Sequence, residues 1–263
     1  MEVFVGKVID LAVAVVGALV AIPILGLLIF GRGALELRYR LANTLARGGL
    51  HRLTLHRDDY RAQKGRSLSL RSYLETATHS IEIISISMNV TQAEHSIIEL
   101  FVDRIRSRPG FTVRVSLLNP DAPAITAIAE GLLSKPSDLA DEIRDTLRQL
   151  SDARQSLPEP DRERLFVMVH DALTFGSAIL LDATGDTGAI QVETKLYKAP
   201  RSESFGFEVV APSGFYSRNF AAWHEVLRDS RPWVRSGQVE PVLELPVVVA
   251  EPKATTRRRR NPE

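Results

Sequence analysis

Three patterns of apolar and polar positions divide this chain. The first is an unbroken run from Leu11 to Phe30, 20 residues without a charge. At 1.5 Å per residue a helix of that length reaches about 30 Å, the thickness of a bilayer's hydrocarbon core. It therefore predicts one membrane-spanning helix, kinked at Pro23. The second pattern alternates strand and helix. Ser67 can cap a helix through about Thr78. Ser80–Met88 places isoleucine at 81, 83, 84 and 86 and reads as a buried strand. Thr91–Ser107 repeats apolar residues at 97, 98, 100, 101 and 105, a helical period, and Phe111–Leu118 is a second strand. A β–α–β unit of this kind predicts parallel strands and a right-handed crossover. Helical stretches follow over 122–134 and 136–157, the latter rich in i,i+4 charge pairs. The third pattern is mostly β: Leu165–His170, Phe175–Asp182, Ala189–Tyr197 and Ser204–Val210, with a tight turn from Gly185 to Gly188. Tyr216–Arg228 closes it as a helix with Phe220, Trp223 and Leu227 on one face, and Trp233 is expected to pack on that helix.

Charge changes the picture at the two ends. Lys7 is the one basic residue before the apolar run, whereas Arg32, Arg38, Arg40, Arg47, Arg52, Arg57, Arg61, Lys64 and Arg66 follow it. Basic flanks stay in the cytoplasm. The expectation is a single-pass inner-membrane protein with residues 1–10 outside and the rest inside. In that layout 31–66 forms a basic juxtamembrane helix and irregular linker, broken at Gly48-Gly49. An α/β domain occupies 67–236, and a Pro- and Arg-rich tail occupies 237–263. Arg38, Arg40 and Arg47 would then touch the membrane surface, with the lipid bilayer as a partner. Arg257–Arg260 lies near the end of the tail. The whole chain of 263 residues carries a net charge of +1, so nothing global attracts nucleic acid, which is not expected as a partner. Without cysteine, disulfides, thiolate catalysis and cysteine metal sites are excluded. His79, His95 and His224 show no metal-ligand spacing, and no Walker loop, dinucleotide fingerprint or nucleophile elbow is present. No metal or other cofactor is expected.

Five local features, in order, resemble one half of the phospholipase D superfamily. Leu74–Ile86 is similar to the family's opening helix and strand, and Thr112–Leu118 to its second strand. Phe175–Asp182 (FGSAILLD) stands where the catalytic strand would be. Ser204–Val210 (SFGFEVV) resembles a later strand carrying a Glu, and Phe220–Leu227 (FAAWHEVL) the family's ending. The resemblance covers roughly residues 67–230 and implies a single α/β domain with a mixed β-sheet flanked by helices. The family's chemistry uses His-x-Lys-x4-Asp, with His as nucleophile, Lys neutralising the phosphoryl oxygens and Asp orienting the His. Aligned on Asp182, those His and Lys positions hold Phe175 and Ser177. The resemblance thus implies a catalytically degenerate domain in which Asp182 caps a turn. Because relatives with one signature per chain complete their site at a two-fold interface, it also implies a homodimer.

Two functions follow. One is a membrane-anchored sensor or interaction module that binds a phosphate-bearing ligand or a protein partner. Its candidate binding residues are Ser177, Asp182, Glu193, Lys195, Arg201 and Ser204, with period two placing Glu193 and Lys195 on one strand face. Its one-span layout is that of bacterial signalling and defence proteins, an analogy of layout alone. The other is a phosphodiesterase acting on phospholipid or nucleic acid with displaced catalytic residues, His170, Lys195 and Glu208. The second function requires those three side chains to converge.

Overall fold

A computed structural model describes residues 49–54, 70–88, 92–174, 176–195, 198 and 204–234. The chain divides into two compact units, Met1–Leu50 and His51–Glu263, and the architecture is that of the second. Its strands are β1 (Leu50–Thr54), β2 (Ser80–Ser85), β3 (Thr112–Leu118), β4 (Leu165–His170), β5 (Gly176–Leu181), β6 (Ala189–Thr194), β7 (Phe205–Val210) and β8 (Arg231–Pro232). Its helices are α1 (Leu70–Leu74), α2 (Gln92–Ser107), α3 (Ile125–Gly131), α4 (Pro136–Gln155), α5 (Glu159–Arg162) and α6 (Gly214–Arg228).

One eight-stranded sheet runs in the order β1-β7-β6-β5-β2-β3-β4-β8. The β–α–β expectation holds: β2 and β3 are parallel, with Ile81 opposite Val113 and Ile83 opposite Val115, and β4 extends the parallel set. β5, β6 and β7 are antiparallel, as is the short β8 on the other side. The result is an α/β fold with a mixed sheet.

The two faces of the sheet are covered differently. Ile81, Ile83, Val113, Val115, Leu117, Leu165 and Val167 project to one face and share a core with Phe101 and Ile105 of α2 and with Leu139, Ile143, Leu147 and Leu150 of α4. The apolar stripe of α4 recurs every three or four residues, which is why a helix so charged elsewhere docks there. Pro136 at its first turn fixes the start, where a missing N–H costs nothing. On the opposite face Ile84, Leu180, Ile190 and Val209 are fully buried, and α6 lies across β2, β6 and β7. The Ser213 hydroxyl caps α6 by accepting from the Tyr216 N–H at 3.0 Å.

Four expectations need correction. The membrane span predicted for Leu11–Phe30 is not found, since no helix among the described residues is long and apolar enough to cross a membrane. The longest described helix, α4, carries charge on every turn. Residues 11–30 and the membrane-surface set Arg38, Arg40 and Arg47 lie outside the described residues, as does Arg257–Arg260. Single-pass anchoring and the inner-membrane location are withdrawn with the span. Second, the linker expected over 50–66 begins instead with β1, a short polar edge strand. Third, the helical region expected to close at residue 157 is followed by α5, Glu159–Arg162, with a proline in its first turn. Fourth, Trp233 does not pack on α6. It follows β8, donates its N–H to the Val167 carbonyl at 3.0 Å, and lies against the core on the α2–α4 side.

Candidate functional site

The candidate residues divide among three places. The first is the end of the sheet where β5 begins, β6 ends and β7 begins. Ser177 lies opposite Glu193, and Glu193 opposite Gly206. Gln191 lies opposite Glu208 two residues further in. Because side chains alternate, Ser177, Gln191, Glu193 and Glu208 all project to the α2–α4 side. There they form a polar patch beyond the reach of the apolar core. Lys195 and Glu193 form an ion pair, with 17% and 24% of their side chains exposed. Ser204 and Glu208 are buried. Arg201 lies outside the described residues, as does Phe175. The patch is built tightly: a Cβ on Gly176 would stand 2.0 Å from the Glu193 carbonyl oxygen. Only glycine lets the two backbones approach there.

Charge decides what this patch can hold. Among its described residues two carboxylates, Glu193 and Glu208, face one ammonium, Lys195. A phosphate placed there would meet more negative than positive charge, and the one cation is already paired. Hydrogen-bonding chemistry fits the patch better than phosphate neutralisation.

The second place is the far end of β5. Asp182 stands about 17 Å along the strand from Ser177, taking 3.4 Å per residue. Its carboxylate accepts from the backbone N–H of Thr78 (2.8 Å), His79 (2.7 Å) and Ser80 (2.8 Å), and from the Thr78 hydroxyl (2.8 Å). Partial burial disfavours its charge, but these four donors outweigh that and hold its pKa below the ordinary carboxylate value. Asp182 therefore stitches the lead-in of β2 to the turn after β5. The turn itself takes positive φ at Asp182, +48°, a conformation that Asp tolerates better than most residues. Next to it Tyr216 of α6 donates to the Ala183 carbonyl at 2.7 Å. Burial, then the charges of Glu82 and Asp182, push the Tyr216 hydroxyl up to about 12.

The third place is the carboxyl end of β4. His170 is buried, and its Nε2 lies 3.3 Å from the Ser85 carbonyl oxygen. A carbonyl can only accept, so Nε2 carries the proton and the buried Nδ1 is left without a hydrogen-bond partner. Burial lowers the His170 pKa, against smaller opposing effects of the Ser85 and Ala172 backbone and the Asp171 charge. Burial thus favours the neutral imidazole. Asp171, next in the chain, is held ionised by Arg231 and Asn119.

These places do not meet. β4 is separated from β6 by three strands and from β7 by four. At about 4.8 Å per strand, His170 is roughly 20 Å or more from Lys195 and Glu208 in the plane of the sheet. The strand also directs His170 to the face opposite the one that Glu208 occupies, by the registers Leu118–His170 and Gln191–Glu208. Among the described residues there is no group of acids and histidines able to hold a metal ion.

Two arrangements were not legible in the sequence. A half-buried ion pair, Arg114 Nη1 to Glu82 Oε1 at 3.2 Å, sits beneath α6, with the guanidinium 5.4 Å from the Phe166 ring centroid. Burial raises the Glu82 pKa, while Arg114 and His224 oppose the rise. A hydrogen-bonded rim also links Asn119, Asp121, Arg144, Asp171 and Arg231 outside β3 and β4. The pair follows from cross-strand register and the rim from topology, since loops outside the carboxyl ends of parallel strands gather side chains from distant segments. Asn119 and Asp121 flank Pro120, which reads in sequence only as a turn.

No family model and no curated protein matches this chain. Among solved structures it is similar to a phospholipase D family member, Nuc from Salmonella typhimurium, at 12% identity over 65% of this chain and 93% of that one, with a TM-score of 0.37. A likeness this distant says nothing of activity.

Proposed function

We propose that this α/β domain is a non-catalytic interaction module, and that the polar patch of β5–β7 is where a protein partner docks. The observation that carries the reading is the dispersal of the would-be replacement residues. His170, Lys195 and Glu208 stand on separate strands, Lys195 is committed to Glu193, and the Asp182 carboxylate is filled by four donors. A covalent phosphoryl-transfer site needs a nucleophile and a cation within hydrogen-bond reach of one phosphorus. The patch instead offers hydrogen-bonding groups of Ser177, Gln191 and Glu193 at intermediate burial, the kind of surface that contributes directional contacts once a partner excludes water.

The test has two arms. Full-length chain is assayed on bis-p-nitrophenyl phosphate and on phosphatidylglycerol, and a photo-reactive residue is placed at Ser177 for cross-linking in cells. The expected results are no turnover and one discrete cross-linked protein, lost in Glu193→Ala and Lys195→Ala. Turnover abolished by His170→Ala, or cross-linking indifferent to both patch variants, would sink the reading.

A further inference from the structure

The rim outside β3 and β4 encloses a cleft of about 370 Å³, within the usual size of small-molecule sites. Asn119, Asp121, Arg144, Arg231 and Trp233 line it together with Val234 and neighbouring apolar groups. Its polar side chains form a continuous chain. Arg231 Nη1 donates to Asp171 at 2.5 Å, and Asn119 Nδ2 donates to the other Asp171 oxygen at 2.8 Å. Asn119 Oδ1 accepts from the Asp121 N–H at 3.1 Å, and Arg144 donates to Asp121 at 2.7 Å and to Asp141 at 3.0 Å. Singly, such exposed pairs contribute little to stability. Together they hold two guanidinium groups at fixed places on one cleft.

The charges and donors select a ligand class. A guanidinium has five N–H donors. Among the described residues these side-chain bonds engage two groups of Arg144 and one of Arg231. Unengaged donors remain on both. The cleft's own lining holds two guanidinium groups and one carboxylate, Asp121, while Asp141 and Asp171 pair those guanidinium groups from outside the lining, so the local field favours a single negative charge and a bare, multiply charged ion gains little beyond that. A singly charged oxyanion loses little to repulsion and can still accept directed, charge-assisted hydrogen bonds from both forks. The apolar wall, Pro232, Trp233 and Val234, then matches a flat ring carried by that anion. The geometry points to a binding site for a ring-bearing, singly charged oxyanion, a carboxylate or a phosphodiester, outside the carboxyl ends of β3 and β4. It is independent of the β5–β7 patch and of any reading of that patch.

Full-length protein carrying Trp223→Phe leaves Trp233 as the one tryptophan fluorophore. It is titrated with benzoate and with adenosine 3′,5′-cyclic monophosphate, and in parallel with adenosine and with inorganic phosphate. A saturable change in Trp233 emission is expected with one or both ring oxyanions, and the arm that responds identifies carboxylate or phosphodiester. Adenosine and inorganic phosphate should bind at least tenfold more weakly, roughly the loss expected when a charged hydrogen-bonding group is deleted. Arg144→Gln and Arg231→Gln should each weaken binding by about tenfold on the same basis. Val234→Glu leaves the rim bonds in place and adds a carboxylate at an exposed wall position, so it should weaken both oxyanions and spare adenosine. No saturable response to either oxyanion overturns the proposal. So does binding that adenosine or phosphate reproduces, or binding that Val234→Glu and both arginine variants leave intact.

Discussion

The parallel and antiparallel halves of the sheet use the same alternation of side chains to different ends. In β2, β3 and β4 the carboxyl-terminal residues are buried on both faces: Ile83–Ser85, Val115–Leu118 and Val167–His170 run without an exposed position. In β5, β6 and β7 burial mostly alternates, and β6 ends on half-exposed Glu193 and Thr194. The cause is coverage. Parallel strands need crossover connections, which bring α2, α3 and α4 onto one face, whereas β5 starts beside the carboxyl end of β2 and runs back antiparallel to it. Hairpins need no crossover, so the antiparallel half has only α6 and keeps a polar face. Polar chemistry can vary on that half without entering the core.

The largest test of this contrast sets a core residue against the patch. Phe101 of α2 is fully buried among the strands of the parallel half, and Phe101→Ala should cost about 3–5 kcal/mol. Glu193→Ala removes a partly exposed ion pair and should cost less than about 1 kcal/mol. Urea denaturation of the full-length variants measures both, and similar losses would mean that the two halves are not different in kind.

Asp182 joins the halves, because it sits at the end of β5 and binds the lead-in of β2. Asp182→Ala strands three backbone N–H groups and should cost about 2–4 kcal/mol, given 1.5–3 for a hydrogen bond to a charged group and partial rescue by water. Asp182→Asn keeps an acceptor and should lose less. The folded-state pKa is lowered, so the carboxylate's contribution is complete above the unfolded-state value near 3.8 and disappears as pH falls through the lower folded value. Acid-unfolding curves should show that slope in the parent and not in Asp182→Asn.

A tighter test lies at the first residue of β5. Gly176→Ala puts a methyl against the Glu193 carbonyl, a backbone atom that cannot swing away. Strain of this kind costs about 1–3 kcal/mol. It should be accompanied by faster amide exchange at position 176 and at Thr194, while exchange in β2–β4 stays unchanged. Uniform acceleration would show that the sheet responds as a whole.

How far the sequence is legible follows the same division. The parallel half was readable because isoleucine and valine periodicity marks its strands and the apolar repeat of 97–105 its helix, and β2, α2 and β3 lie inside their predicted ranges. The antiparallel strands were readable as strands but not as a site. Ser177, Glu193, Lys195 and Glu208 could be named individually, yet which of them share a face depends on register, and whether His170 joins them depends on strand order. β8 escaped because two residues, one a proline, carry no period; its pairing with Met168 and Val169 is decided by where α6 delivers the chain. Trp233 was assigned to α6 because it follows that helix in sequence, but β8 carries it past the sheet edge to the other face. The rim escaped for the same reason, since Asn119, Arg144 and Arg231 come from three distant segments.

The smallest effect concerns His170, the one candidate side chain buried on the parallel half. Its Nε2 proton is used by the Ser85 carbonyl, and its Nδ1 lone pair faces a buried environment without a hydrogen-bond partner. Protonation must therefore place a charge where water cannot reach it, which is why the folded pKa lies below the ordinary imidazole value near 6.5. Between those two values the unfolded chain binds a proton that the folded chain refuses. Stability is thus complete above the unfolded value and is lost progressively as pH falls below it. His170→Gln retains an N–H donor for Ser85 and has nothing to protonate. Its urea midpoint should match the parent's near pH 8 or sit slightly below it, and should fall less between pH 7 and pH 5. If the two chains instead decline in parallel, His170 accepts its proton in the folded state, and the imidazole must then be open to solvent or to a ligand at the carboxyl ends of the parallel strands.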